Sequence, residues 1–296
     1  MQFLQSEKAL SDLTCRDFDI FLSPYPKLPL FGCGCPTIHI IHDILDLTHP
    51  AYKRRFRVLF DSLRLRLALK KAALTWYDSL WSLYETKQYV GFTGENPRVR
   101  YPAISDSFHP NTQPRDNKLI KKHNLEPGYI LTLGTGLPHK NLGVLLKIMH
   151  QIPRPFLFVG VSEKNQRYWK AKYPASRAVW IHHIADEELP AILRNAFCLA
   201  QPSTAEGYGY PPLESMACGV PAVVSNIPVL LETTGNHALT ADPGEPTTWI
   251  HAFNSLEQRD IYQTQVEKGL RWVEPLMGRK GWEKHVSDME ELLKGA

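Results

Sequence analysis

The feature that most constrains this chain is a series of short apolar segments, rich in β-branched and aromatic residues, that alternate with helix-like segments between Tyr129 and Ser225. The segments 129–134, 155–160, 179–182, 196–200 and 222–225 have the length and composition of fully buried strands. Between them, 141–152, 187–194 and 211–218 read as helices, and Gly219 supplies a C-terminal stop. Strands joined through helices run parallel, with the helices covering the faces, so this region predicts an α/β, doubly wound parallel sheet.

The flanking segments read as a second, smaller α/β unit and a terminal helix. Residues 17–22 and 36–47 are apolar runs separated by Pro and Gly, which predicts two strands of a buried sheet. Residues 50–74 predict a helix with Phe56, Leu59, Phe60, Leu63, Leu67 and Leu74 at helical spacing, and with Lys53, Arg54, Arg55, Arg57, Arg64, Arg66, Lys70 and Lys71 among them. A polar stretch with Pro110 and Pro114 marks a boundary. The chain therefore divides into a short N-terminal Rossmann-like domain at 1–107, a second such domain at 108–278, and a helix at 279–296 with Trp282, Val286, Met289 and Leu293 on one stripe.

With 296 residues and 43% hydrophobic content, the chain can bury ordinary globular cores in about two domains. No run approaches the ~18 apolar residues that cross a bilayer, and Met1 to Lys8 has no signal-peptide pattern, so a cytoplasmic protein is expected. A formal net charge of +4 is too small to indicate nucleic acid, no nucleic-acid-binding motif occurs, and none is expected as a partner. Cys15, Cys33, Cys35, Cys198 and Cys218 lack CxxC or His spacing and predict free thiols, not disulfides or zinc. Asp17-Phe-Asp19 has the letters of a cation-binding Asp-x-Asp, but it precedes an apolar strand and reads as a turn. No metal is expected.

Chemistry concentrates in Pro202 to Glu214, where Glu206 and Glu214 flank a loop containing Gly207 and Gly209 and ending in Pro211-Pro212. Glycines let a backbone approach a ligand, and paired prolines fit a helix start, where a missing N–H costs little. The free N–H groups there suit a phosphate. A second loop, Gly134 to Asn141, also joins a strand to a helix and carries Lys140. A lysine at a helix start is unfavourable unless it faces an anion.

These residues resemble the retaining nucleotide-sugar glycosyltransferases of family 4, which have the two-domain GT-B fold. Glu206 and Glu214 are spaced as in that family's E-x7-E motif, and Glu214 to Ser225 is similar to its usual continuation. Tyr129 to Leu142 resembles its phosphate-binding strand and loop ending in Lys-Asn, and Thr37 to Pro50 resembles its inter-domain His-Asp segment. The resemblance spans roughly residues 17 to 294. It implies two Rossmann-like doubly wound domains, with 108–278 binding the nucleotide sugar, the short 1–107 domain on the acceptor side, and the last helix returning to the first domain. His42 stands much nearer the chain start than its counterpart in the family, so the N-terminal domain reads as truncated. Either the chain is a shortened version, or its start lies upstream, or a partner chain completes the domain.

The resemblance also implies roles. Lys140, Thr135 and Gly136 would meet the donor diphosphate, although many relatives carry arginine at the position of Thr135. Glu206 would accept from donor-sugar hydroxyls, Gly207, Tyr208, Gly209 and Tyr210 would hold sugar and phosphate, and Glu214 would take the ribose hydroxyls. His42 would face the reacting carbon, with His39 its competitor one strand repeat away. The implied activity is metal-independent transfer of a hexose, mannose first, from a nucleotide-diphosphate sugar such as GDP-mannose to a glycan or lipid-linked acceptor, with no cofactor. The competing reading is a non-catalytic donor-binding or scaffold subunit. A Rossmann dehydrogenase fits poorly, since Gly32-Cys33-Gly34 is too short for GxGxxG and opens no helix. The basic 53–71 helix has two readings, a solvated face or attachment to an anionic membrane surface, which would make the protein peripheral at the inner face.

Overall fold

The structure, a computed structural model, describes residues 5, 8–9, 11–13, 18–24, 32–52 and 55–295, the side chains of 55–57 excepted. Cys15, Asp17, Lys53 and Arg54 lie outside the described residues. The chain forms two units, Met1–Ala103 with Arg279–Ala296, and Ile104–Gly278. The division falls at Ala103, four residues before the sequence boundary at 107.

In the N-terminal unit β1 (Phe21–Ser23), β2 (Thr37–Ile41), β3 (Leu74–Tyr77) and β4 (Pro97–Val99) form a parallel sheet in the order β1-β2-β3-β4. Helices α1 (Leu45–Thr48), α2 (Arg55–Lys71) and α3 (Leu80–Val90) follow β2 and β3. The apolar run 36–47 is thus not one strand. It ends at Ile41, and the Asp43 side chain accepts from the Leu45 N–H at 2.9 Å and turns the chain into α1, a local carboxylate–backbone bond that overrides β-propensity. Leu74 likewise opens β3 instead of closing the preceding helix. The core of this unit gathers Ile41, Ile44, Leu47, Leu65, Leu69, Tyr77 and Val90. Leu59, Phe60, Leu63 and Leu67, expected at helical spacing to form the core face of α2, stand exposed instead.

The C-terminal unit is built on β5 (Tyr129–Leu133), β6 (Phe156–Val159), β7 (Val179–Ile181), β8 (Ala196–Gln201), β9 (Ala222–Ser225) and β10 (Leu239–Ala241). All pairings are parallel, in the order β10-β9-β8-β5-β6-β7. The helices are α4 (Asp116–Lys122), α5 (Leu142–Ile148), α6 (Glu163–Lys172), α7 (Leu189–Arg194), α8 (Tyr210–Ala217), α9 (Pro228–Thr233), α10 (Pro246–Leu256) and α11 (Arg259–Val273). β5, β6, β8 and β9 are buried along their whole lengths, as strands covered on both faces must be. The short α4, to which the sequence assigned no element, is held by a buried fork: Arg194 donates from Nε and Nη2 to the two Asp116 carboxylate oxygens, each at 2.8 Å. The unit's two ends lie side by side, with the Ile104 N–H donating to the Leu276 carbonyl at 2.9 Å and the Gly278 N–H to the Ile104 carbonyl at 2.8 Å.

The last helix, α12 (Gly278–Lys294), groups with the N-terminal unit from Arg279 onward. Its contact is polar at the centre. Asp288, 3% exposed, accepts from Trp76 Nε1 at 2.8 Å and from Arg100 at 2.7 Å through both Nε and Nη2, and it also pairs with Arg98. Of the expected stripe, Met289 packs against the core of Ile38, Leu74 and Trp76, whereas Trp282, Val286 and Leu293 are about half exposed and His285 and Asp288 are buried in their place.

Candidate functional site

In an open parallel sheet, a ligand crevice forms where connections from neighbouring strands leave toward opposite sides, at the strands' C-terminal ends. The order β10-β9-β8-β5-β6-β7 places that switch between β5 and β8. The two loops singled out from sequence leave these strands. Residues 134–141 follow β5, and residues 202–209 follow β8.

The first loop leaves β5 through Gly134, and the aliphatic stem of Lys140 lies over that glycine. Gly136 is buried at φ +72°, where a Cβ would stand 2.8 Å from Val161 Cγ1, and its carbonyl accepts from Trp169 Nε1 at 3.2 Å. Thr135 is exposed, its carbonyl accepting from Asn165 Nδ2 at 2.8 Å. Asn141, in the left-handed region, ends the short Pro138–Lys140 turn and begins α5. Its side-chain amide donates to the Pro202 carbonyl at 3.0 Å and the Pro243 carbonyl at 2.8 Å. One asparagine thus fixes three loops on the same edge of the sheet.

The second loop is tied to the first through Glu206. Its Oε1 accepts from Lys140 Nζ at 2.7 Å, Gln201 Nε2 at 2.6 Å and Ser203 Oγ at 2.6 Å. Glu206 is 8% exposed, and a carboxylate so buried is tolerable because these donors gather on it. The Thr204 N–H donates to the His139 carbonyl at 2.8 Å, a further stitch between the loops. Gly207, Tyr208 and Gly209 are buried, and the Tyr208 and Tyr210 rings meet edge to face at 5.2 Å. Gly209 precedes α8 at φ +92°, and a Cβ there would lie 2.6 Å from Leu230 Cδ2, a side chain with no exposure. Glycine is required at that turn.

Glu214 stands on α8, half-buried. Burial pushes its carboxyl up to about 7, with a further push from the Asp186 charge. No hydrogen bond from the described residues reaches it. Such a group gains most from hydroxyl donors brought by a ligand.

His42 and Asp78 form a separate cluster in the N-terminal unit. Ile41 and Tyr77 pair in register at the ends of β2 and β3, so the next residues on each strand are neighbours. His42 Nδ1 lies 2.6 Å from Asp78 Oδ2, with Asp78 buried and the His42 side chain 52% exposed. That bond holds the imidazole above its ordinary value, against burial, with help from the Asp78 charge, the Pro24 carbonyl and Asp43. His39, the competitor, has no exposure and belongs to the core. His182 and His183 are on the surface.

Sequence reasoning singled out Lys140, Glu206, Glu214 and His42 as candidates, but not Asn141 as a clamp, Gln201 and Ser203 as donors to Glu206, or Asp78 as the partner of His42. The signal for Gln201 was a polar side chain closing an otherwise apolar strand. The signal for Asp78 was a carboxylate immediately after the next strand in the sheet. Among the described residues no group of three or more His, Cys, Asp or Glu is placed to hold a metal ion, and no helix is long and apolar enough to cross a membrane.

Comparison with known proteins agrees with this architecture. The chain is 29% identical over 267 residues to O-antigen chain mannosyltransferase B of Escherichia coli, covering 86% of this chain and 70% of that protein. It is 29% identical over 227 residues to the O-antigen chain mannosyltransferase RfbU of Salmonella typhimurium, covering 74% of this chain and 60% of that protein. Among solved structures, Anabaena HepE in complex with UDP and glucose matches with a TM-score of 0.80 at 17% identity, over 98% of this chain and 82% of that one. The family model described as glycosyl transferases group 1 matches residues 115–271, which take in both switch-point loops. This chain belongs to the glycosyl transferases group 1 family and has the GT-B fold.

Proposed function

We propose that this chain is a retaining hexosyltransferase that moves mannose from GDP-mannose to a glycan or lipid-linked acceptor, with the donor held in the C-terminal unit. The observation that carries the reading is the joining of Lys140 and Glu206 at the switch point; Glu214 stands on α8, the helix that follows the second loop. The activity named for the two O-antigen relatives supports mannose. The UDP and glucose of HepE support a nucleotide-sugar donor.

In the transfer, the bond from the anomeric carbon to the diphosphate breaks and a bond to the acceptor oxygen forms on the same face. The acceptor's proton leaves with the diphosphate. The protein's task is to stabilise the charge that develops on the leaving group, by groups already in place. Lys140 takes the diphosphate while still tethered by Glu206, and the backbone at Thr135, Gly136 and Gly207 to Tyr210 lines the phosphates and sugar. The second oxygen of Glu206 accepts from donor-sugar hydroxyls. Glu214, once ionised, accepts both ribose hydroxyls. His42, its ring fixed by Asp78, is the catalytic candidate of the N-terminal unit.

A panel of nucleotide sugars, scored for thermal stabilisation and turnover with Lys140→Ala and Glu214→Ala alongside, tests this reading. One donor is expected to raise Tm and turn over in the parent, and to do neither in the variants. No donor-dependent shift in the parent, or an equal shift in both variants, defeats the donor site. A shift without turnover favours the non-catalytic donor-binding reading.

A further inference from the structure

A pocket of about 540 Å³ opens where β6 and β7 begin, at the end of the sheet opposite the loops that leave β5 and β8. Its size is that of a small-molecule site. Met149, Ile152 and Phe156, which belong to or pack on the apolar core of this unit, give it apolar walls. Its polar groups are Arg154, Arg177 and His150, and no carboxylate lines it. Arg154 is fixed before any ligand arrives. It donates from Nε and Nη2 to the Glu257 carboxylate at 2.6 and 2.8 Å and from Nη1 to the Gly128 carbonyl at 3.3 Å, and its guanidinium carbon lies 3.5 Å from the centre of the Phe197 ring. A guanidinium has five N–H donors; three are used here, which leaves two. Glu257 balances the Arg154 charge. Arg177 is exposed, and no hydrogen bond or ion pair from the described residues engages it, so the pocket holds a cation without a counter-charge.

We propose that this pocket binds an organic phosphate, its oxygens shared by Arg177, the unused N–H groups of Arg154 and His150, and its apolar body against Met149, Ile152 and Phe156. The lining selects this class. Two guanidiniums present planar forks that match phosphate oxygens, and the one already locked in place loses little freedom on binding. A phosphate monoester brings three outer oxygens to three donor side chains, whereas a carboxylate brings two. Inorganic phosphate would leave the apolar walls wet, and a neutral apolar ligand would strip water from the cations and give nothing back. The pocket shares no residue with 134–141 or 202–214, so the proposal stands or falls apart from the donor site.

Saturation-transfer NMR of the full chain, titrated with phenyl phosphate, benzoate or inorganic phosphate, tests the proposal. Phenyl phosphate is expected to bind saturably with a Kd of about a millimolar or tighter, and at least about tenfold more tightly than either comparator. Arg177→Gln weakens it about 10- to 100-fold as a charge-assisted contact is lost. Ala175→Trp, at an exposed lining position, fills the pocket and abolishes binding. Lys140→Ala leaves it unchanged, which separates this pocket from the switch point. Circular dichroism and Tm establish that each variant is folded. No saturable binding by the parent, equal affinity for benzoate or inorganic phosphate, full affinity in Arg177→Gln or Ala175→Trp, or a loss in Lys140→Ala would overturn the proposal.

Discussion

At the scale of single residues, two candidate site groups are moved off their ordinary titration in the same direction for opposite reasons. Glu214 rises to about 7 because burial penalises its charged form. Its folded state therefore binds a proton that the unfolded chain has released, and stability falls as pH climbs from the ordinary carboxylate range through about 7. Glu214→Gln is expected to stabilise the free protein at pH 8 by roughly 1–3 kcal/mol, while weakening donor binding; chemical denaturation with and without GDP-mannose checks both signs. His42 rises because Asp78 hydrogen-bonds its ring. That stabilisation is complete below the imidazole's unfolded value and is lost as pH rises past the raised one. Asp78→Asn should accordingly lower Tm more at pH 6 than at pH 8.5, and the His42 ring resonances should titrate at lower pH in the variant. The spacing of Glu206 and Glu214 was legible in the letters, as was Lys140 before Asn141. The pairing of Lys140 with Glu206 was not, because 66 residues separate them and only the adjacency of β5 and β8 closes that gap.

At the scale of elements, the strands were easier to read than the faces of helices. β9 was legible to the residue, because a fully buried parallel strand bounded by Pro and Asn has one apolar reading. α2 was not, since both of its sides are apolar and periodicity cannot say which one meets the sheet. α12 misled for another reason: beside the apolar contacts of Met289 and Leu292, its most buried contact is a carboxylate, Asp288, beneath Trp76 and two arginines, and burial there follows hydrogen bonds as well as hydrophobicity. Asp288→Ala should cost about 2–4 kcal/mol by leaving Arg98, Arg100 and Trp76 without their acceptor, read as a fall in the denaturant midpoint. In the loop after β8, Gly209→Ala forces a side chain into φ +92° against Leu230. It should cost about 1–3 kcal/mol and reduce the donor-dependent rise in Tm, because the strain falls on the turn that starts α8.

At the scale of the whole molecule, alternation of strand and helix was enough to foresee parallel sheets, and strand order then located the site. Order was the part hidden in the sequence. Nothing in the letters of β8 says that it lies beside β5, yet that adjacency brings residues 134–141 and 202–209 to one edge. Membership of α12 in the first unit was legible only through family resemblance, and its anchoring residues not at all. The central claim is that Lys140, Glu206 and Glu214 together bind a nucleotide sugar. Isothermal titration of GDP-mannose into the parent, Lys140→Ala and Glu214→Gln tests it most directly. The account predicts saturable one-to-one binding by the parent, weakened about 10- to 100-fold in each variant as a charge-assisted contact is lost; equal affinity in all three, or no binding of any nucleotide sugar by the folded parent, would contradict it.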